Sequence, residues 1–225
     1  MCLRIPRPDH TEPTEFGKNG RMSRQRDPET EQQHGASVAA VLRAATAAYL
    51  DGKPIDMSAL AAELELSRAT LYRRVGNHDQ LVGLVLAELS ERMFHEVKVG
   101  VHSSGAARIL DGFERFINAV VAAAPLRELI HRDPLLFIRV VLAPGVVEDR
   151  MTTLLTGLLD EEVDAGTLRL RLPTPVLAKA MVRIADSFMY SHLLGGGEPE
   201  MPQAVMIVTL MLESVTEPVA SDLPG

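Results

Sequence analysis

The chain has 225 residues, 46% apolar and 24% charged, with a formal net charge of −7. That balance supports a sizeable buried core and excludes a wholly disordered or collagen-like chain. One cysteine, Cys2, excludes an intramolecular disulfide and a cysteine-built metal cluster; a reducing, cytoplasmic setting is expected, since no apolar run reaches membrane-span length and the N-terminus lacks a signal-peptide core.

The charge is unevenly placed. Residues 1–95 carry 12 basic and 13 acidic side chains, whereas residues 96–225 carry 11 and 17. Within the nearly neutral part, basic residues cluster at Arg21, Arg24 and Arg26 and again at Arg68, Arg73 and Arg74. This fits one DNA-facing end on an acidic protein.

Residues 1–34 are polar and rich in Pro and Gly without periodicity, and are expected to form a flexible arm, frayed until about Glu29. From Ala36 an apolar stripe of Val38, Val41, Leu42, Ala45 and Tyr49 predicts a helix, closed by Asp51-Gly52-Lys53-Pro54. Asp56 is placed to cap a helix over 57–64 and Ser67 one over 68–75. Asn77, with Gln80 as its return partner, opens a long helix over 78–99. Leu81, Leu84, Val85, Leu89, Met93 and Val97 are its expected inward side chains.

Further helices are predicted at 106–123, between Pro125 and Pro134, at 134–143, 146–164, 174–194 and about 200–216. The alternating run Leu168-Arg169-Leu170-Arg171-Leu172 is too short and isolated to start a sheet, so a loop is expected. The fold class is all-α, about nine or ten helices in all. A DNA-binding domain over 35–80 precedes a helical ligand-binding and dimerisation domain over 81–217, with a tail at 218–225.

The stretch DMSALAAELELSRATLYRRVGNHDQL, Asp56 to Leu81, has the layout of a helix-turn-helix. Ala61 and Ala62 let the two helices cross closely. Leu60, Leu64, Leu66, Leu71 and Val75 are placed to bury between them. A helix of this size fits the major groove, where an arginine can grip guanine in bidentate fashion for about 1–3 kcal/mol of discrimination. The candidate DNA-contacting residues are Ser67, Arg68, Ala69, Thr70, Tyr72, Arg73, Arg74 and His78. Thr70 offers a hydroxyl and a methyl to a base pair, and Arg68 or Arg73 reaches guanine. Tyr72 and Arg74 face phosphate, and His78 opens a helix whose free N–H groups favour an anion.

Within this stretch, LSRATLYRRVGNHDQLV resembles the signature of the TetR/AcrR family of bacterial transcriptional regulators. Thr70, Leu71 and Tyr72 match the family's threonine, hydrophobic, tyrosine run. Val75 stands where the family has Phe, His78 where it has Lys, and Glu65 where the turn has Gly. A non-glycine residue there costs about 1 kcal/mol if its φ is positive. The run from Leu172 to Glu200, LPTPVLAKAMVRIADSFMYSHLLGGGEPE, also looks like the C-terminal domain of the QsdR-type subgroup.

The resemblance implies a ligand cavity in the helical domain and a homodimer built on the last two helices. Candidate cavity residues are Phe113, Phe116, Phe137, Arg139, Met151, Arg183 and Phe188, with His131, Asp186 and His192 as further polar candidates. Arg183 and Asp186, three apart, are expected to pair. The candidate dimer seam is Met181, Ala185, Met189, Val205, Val208 and Leu212. No metal-ligand spacing and no cofactor motif is present, and no catalytic residues are assigned. The expected function is a ligand-responsive regulator, a repressor released from a pseudo-palindromic operator by a small apolar or amphipathic effector. An all-α binding protein or enzyme using the same cavity, or a DNA-binding adaptor without a ligand, are the alternatives.

Overall fold

A computed structural model describes residues 28–190 and 200–218. The arm arginines Arg21, Arg24 and Arg26, and His192 near the end of the predicted 174–194 helix, lie outside the described residues.

The first helix, α1 (Pro28–Leu50), begins earlier than its apolar stripe. Proline suits a first helical position, and the polar residues that follow it carry no period to read. The stripe itself behaves as expected, with Val41, Ala45 and Tyr49 buried. Two short helices follow, α2 (Met57–Glu63) and α3 (Arg68–Val75), then α4 (His78–Val99).

The helical domain continues with α5 (Gly105–Ala122), α6 (Ala124–Arg132) and α7 (Pro134–Phe137). The single helix expected over 134–143 is instead one short α turn running into a π turn, Ile138–Leu142, closed by Ala143 N donating to Ile138 O at 3.2 Å. Then come α8 (Val146–Asp164), α9 (Thr174–Met189) and α10 (Met201–Val215). The stretch at 168–172 forms one isolated bridge, Leu170 to Thr216, and no sheet.

One core runs through both parts. α4 packs against α1 on one side and against α5, α8 and the π turn on the others, while α9 packs on α8 and α10. This explains why α4 buries more than one face: Val82, Leu86, Ala87 and Phe94 are buried beside the expected Leu81 and Val85, and Leu89 and Met93 are only half-buried.

The far end of the bundle is fastened by Glu162. Its buried carboxylate accepts hydrogen bonds from Gly105 N (2.5 Å), Thr167 Oγ1 (2.6 Å) and the guanidinium of Arg108. Burial pushes this carboxyl up, but the bonds from Thr167, Arg108 and Gly105 outweigh it and hold it below its ordinary range. Gly105 sits at φ 62°, where a Cβ would lie 2.6 Å from Thr167 O, so the clamp closes only around glycine.

Candidate functional site

The helix-turn-helix is built largely by its caps. Asp56 Oδ1 accepts from Ser58 N (2.6 Å) and Ala59 N (3.0 Å), and these bonds lower its carboxyl pKa. Ser67 Oγ accepts from Thr70 N (3.1 Å) and donates to Thr70 Oγ1 (2.9 Å). Asn77 and Gln80 form the expected capping box. Gly76, at φ 74°, makes room for it, because a Cβ there would fall 2.0 Å from Gln80 Oε1. In the turn, Glu65 takes φ 52°, the left-handed conformation that the sequence demanded of a non-glycine residue.

Helix α3 buries Leu71 and Val75 and, on the facing helix, Leu60 and Ala61 meet them in the core. Ala62 is exposed, so Ala61 alone supplies the close crossing. Arg68, Ala69, Tyr72 and Arg73 are exposed and Thr70 is half-exposed. Together they form one outward face with two guanidiniums, a phenol and a hydroxyl. Ser67 joins that edge, with its hydroxyl already committed to the cap.

Two predicted contacts are differently employed. The His78 ring lies with Nε2 3.0 Å from Ile55 O, an acceptor, so Nε2 carries the proton, and with Nδ1 3.4 Å from Asp79 Oδ1. The imidazole ties the loop before α2 to the start of α4 and is not free to grip a phosphate. Arg74 turns inward: its Nε and Nη1 are buried without a hydrogen-bond partner, beside Asp79, Gln80, Arg139 and Pro144. For His78 the reason is the loop that opens the helix-turn-helix; for Arg74 it is a groove whose other wall is supplied by Arg139 and Pro144 of the helical domain.

The predicted cavity residues divide in the same way. Phe113 and Phe116 of α5 and Met151 of α8 do line an internal cavity of about 60 Å³, joined by Ile117, Leu155, Phe94 of α4, and Val182, Ala185, Asp186 and Met189 of α9. Phe94 and Phe116 meet edge-to-face at 6.0 Å. Phe137 is fully buried elsewhere, edge-to-face with Tyr190 at 4.7 Å between ring centres, and Phe188 is half-buried outside the lining. Arg139 instead donates from Nε to Asp79 Oδ2 at 2.8 Å, and this bond raises its own pKa and lowers that of Asp79. His131 is exposed and outside this lining.

Arg183 does not pair with Asp186. Its Nη2 and Nε each lie 2.8 Å from an oxygen of buried Glu148 on α8. Asp186 is left in the cavity wall, where burial pushes its carboxyl up to about 7 despite the opposing pull of Arg183. Phe94 was missed by the sequence reading because it lies off the stripe assigned to α4.

The predicted seam residues are also placed otherwise. Met181, Ala185, Met189, Val208 and Leu212 are buried within the chain's own core, and Val205 is half-buried. The five buried ones close the bundle and are not available to a second copy, whereas Val205 stays partly exposed. The apolar side chains that α10 leaves outside are Met206, Ile207 and Leu210, and α9 adds Val176.

Among the described residues no group of His, Cys, Asp or Glu could hold a metal ion, and no helix is long and apolar enough to cross a membrane.

Known proteins place this arrangement. The sequence model of the tetracyclin repressor-like C-terminal domain matches residues 104–213. No curated protein matches the chain. Among solved structures, the transcriptional repressor QsdR from the TetR family of R. erythropolis is 37% identical, covers 84% of this chain and 98% of its own, and superposes with a TM-score of 0.76. The TetR family repressor AlkX from Dietzia sp. strain DQ12-45-1b, implicated in biodegradation of n-alkanes, shares the fold at 21% identity and a TM-score of 0.55, covering 88% and 99% of the two chains. A TetR-family regulator from Pectobacterium atrosepticum does so at 17% and 0.52, covering 87% and 100%. With a helix-turn-helix joined to a helical domain, and that identity to QsdR across most of both chains, this chain belongs to the TetR family of ligand-responsive, DNA-binding transcriptional repressors, which are not enzymes.

Proposed function

We propose that the protein is a cytoplasmic homodimer that holds a pseudo-palindromic operator through α3 and releases it when a small apolar or amphipathic effector enters the cavity. Arg68, Thr70 and Arg73 read base edges, and Tyr72 and Ser67 meet the backbone, with Ala69 allowing close approach. Two copies read two half-sites and so gain the contact energy that a single motif lacks. The outward apolar side chains of α10 are the surface that joins them.

The observation that carries this reading is the course of α4. Phe94 near its C-terminal end lines the cavity, while His78 at its N-terminus is bonded to the loop that opens the helix-turn-helix. A cavity of about 60 Å³ holds only a few water-sized atoms. An effector therefore has to part the helices around it, and Phe94 moves with its helix. Such a ligand favours the parted conformer by differential affinity, and the spacing of the recognition helices shifts with it.

Selection of bound fragments from genomic DNA tests the proposal. It is expected to return a two-fold-related site that Tyr72→Ala and Arg73→Ala variants fail to bind while remaining folded and associated. If both variants shift that site normally, α3 is the wrong element.

A further inference from the structure

We infer that the cavity is a hydrocarbon site, and that the molecule it accepts is compact and carries no polar group. The inference rests on the cavity being the effector site and narrows the effector from apolar or amphipathic to hydrocarbon. The surface facing the space is almost entirely apolar. Asp186 belongs to the wall but shows the space almost no polar surface. The arginines that sequence spacing offered are spent elsewhere, Arg139 on Asp79 and Arg183 on Glu148. Among the described residues, the buried side-chain polar atoms that lack a hydrogen-bond partner belong to Thr46, Arg74, Glu148 and Thr152, and none of these lines the cavity. Among those residues, no side-chain donor or acceptor waits there for a guest.

Such a wall selects by what it withholds. A hydroxyl or carboxylate that enters gives up its water and gains no partner, and the loss is larger for the charged group. A hydrocarbon gives up nothing and gains the burial of its surface. The walls also welcome a ring. Phe94 and Phe116 meet edge-to-face at 6.0 Å, and with Phe113 they offer a further ring the same geometry. Met151 and Met189 stand in the same wall, and unbranched thioethers turn aside readily and make favourable contacts with a ring edge. These two side chains let the space of about 60 Å³ widen around a guest as the helices part.

Calorimetry on the full chain with toluene, phenol and benzoate tests this. Toluene and phenol carry a methyl and a hydroxyl on the same ring. Toluene is expected to bind about tenfold more tightly than phenol, and benzoate not at all. Two substitutions in the wall locate the binding. Ala185→Leu fills the space and should weaken toluene; Leu155→Ala widens it and should tighten toluene, with circular dichroism reporting that each variant is folded. If phenol binds as tightly as toluene, and Ala185→Leu weakens both, the hydrocarbon preference is wrong and the cavity reading stands. If toluene binds and answers to both substitutions, yet a selected operator site stays bound, the hydrocarbon inference stands and the effector reading fails. If toluene does not bind, or binds without answering to either substitution, both are wrong.

Discussion

Asp79 and Arg139 bridge the two parts of the chain, with Arg139 Nε donating to Asp79 Oδ2 at 2.8 Å between the first turn of α4 and the π turn. The pair sits where α4 leaves the helix-turn-helix. Both side chains are substantially exposed, so solvent screens their attraction and it adds little to stability. Its role is to fix the register of α4 against the helical domain more than to stabilise either.

A double-mutant cycle with Asp79→Asn and Arg139→Gln, read by urea unfolding, is expected to give a small favourable coupling near neutral pH. The Arg139 hydrogen bond holds the Asp79 carboxyl below its ordinary value. The coupling is therefore present above the usual carboxylate range and lost as pH falls through the lowered value. A coupling that survives in acid would show that the two residues interact by packing.

At Glu65 the strain has a measurable size. The residue holds φ 52° in the tight turn between α2 and α3, at a cost of about 1 kcal/mol for a side chain with a Cβ. Glu65→Gly is expected to raise thermal stability, by somewhat less than that because glycine is freer in the unfolded chain. An unchanged or lower midpoint would mean that the Glu65 side chain makes up for its backbone.

This turn, the caps and the helix order were legible in the sequence because each depends on residues a few positions apart. Asp56, Ser67, Asn77 and Gln80 act on their own helix ends, and Leu71 and Val75 declare their inner face by spacing. The cavity and the ion pairs were not legible, since they depend on which helices come together. Arg183 and Asp186 are three apart on one helix, yet buried Glu148 from α8 claims the arginine. Arg139 looked like a cavity residue until the π turn, which no periodicity announces, rotated it toward Asp79. Helices α9 and α10 carry apolar residues around much of their circumference, so spacing alone did not separate Met181 facing the core from Leu210 facing out.

Arg74 is the clearest case of a residue whose cost to the fold can be recovered. Its Nε and Nη1 are buried without acceptors, and such donors cost about 1–3 kcal/mol apiece when unsatisfied. Arg74→Met keeps the aliphatic stem and removes the donors. It is expected to raise the unfolding free energy by about 1 kcal/mol or more, read as a higher urea midpoint. A loss of stability would show that the guanidinium finds a partner in solution.

The two faces of α10 and α9 make opposite predictions. Leu210 is 59% exposed and Met206 54%, four residues apart on one side of α10. Leu210→Glu, measured by light scattering, is expected to dissociate the proposed dimer while each copy stays folded. Met181 is fully buried, so Met181→Ala leaves a cavity and is expected to cost about 2–5 kcal/mol of unfolding free energy without specifically weakening association. The reverse pattern would return the seam to the inward residues.

Asp186 gives the fold a pH dependence opposite in sign to that of Asp79. Its carboxyl is raised from an ordinary value near 3.8 to about 7, first by burial and then by Glu148, with Arg183 pulling the other way. Between those values the folded chain holds a proton that the unfolded chain has already lost. Stability from this group is therefore fully present below about 3.8, falls as pH rises through the window, and levels off above about 7. Asparagine has the shape of the protonated acid and does not ionise. Asp186→Asn should match the wild type in unfolding free energy at the acid end and exceed it progressively on the alkaline side. The gap should open across the same window, on the order of a few kcal/mol at its widest. Comparing variant with wild type removes the opposing acid loss from lowered carboxyls such as Glu162, which both proteins share. A gap independent of pH would mean that Asp186 is already ionised in the empty cavity near its ordinary value, with solvent reaching it.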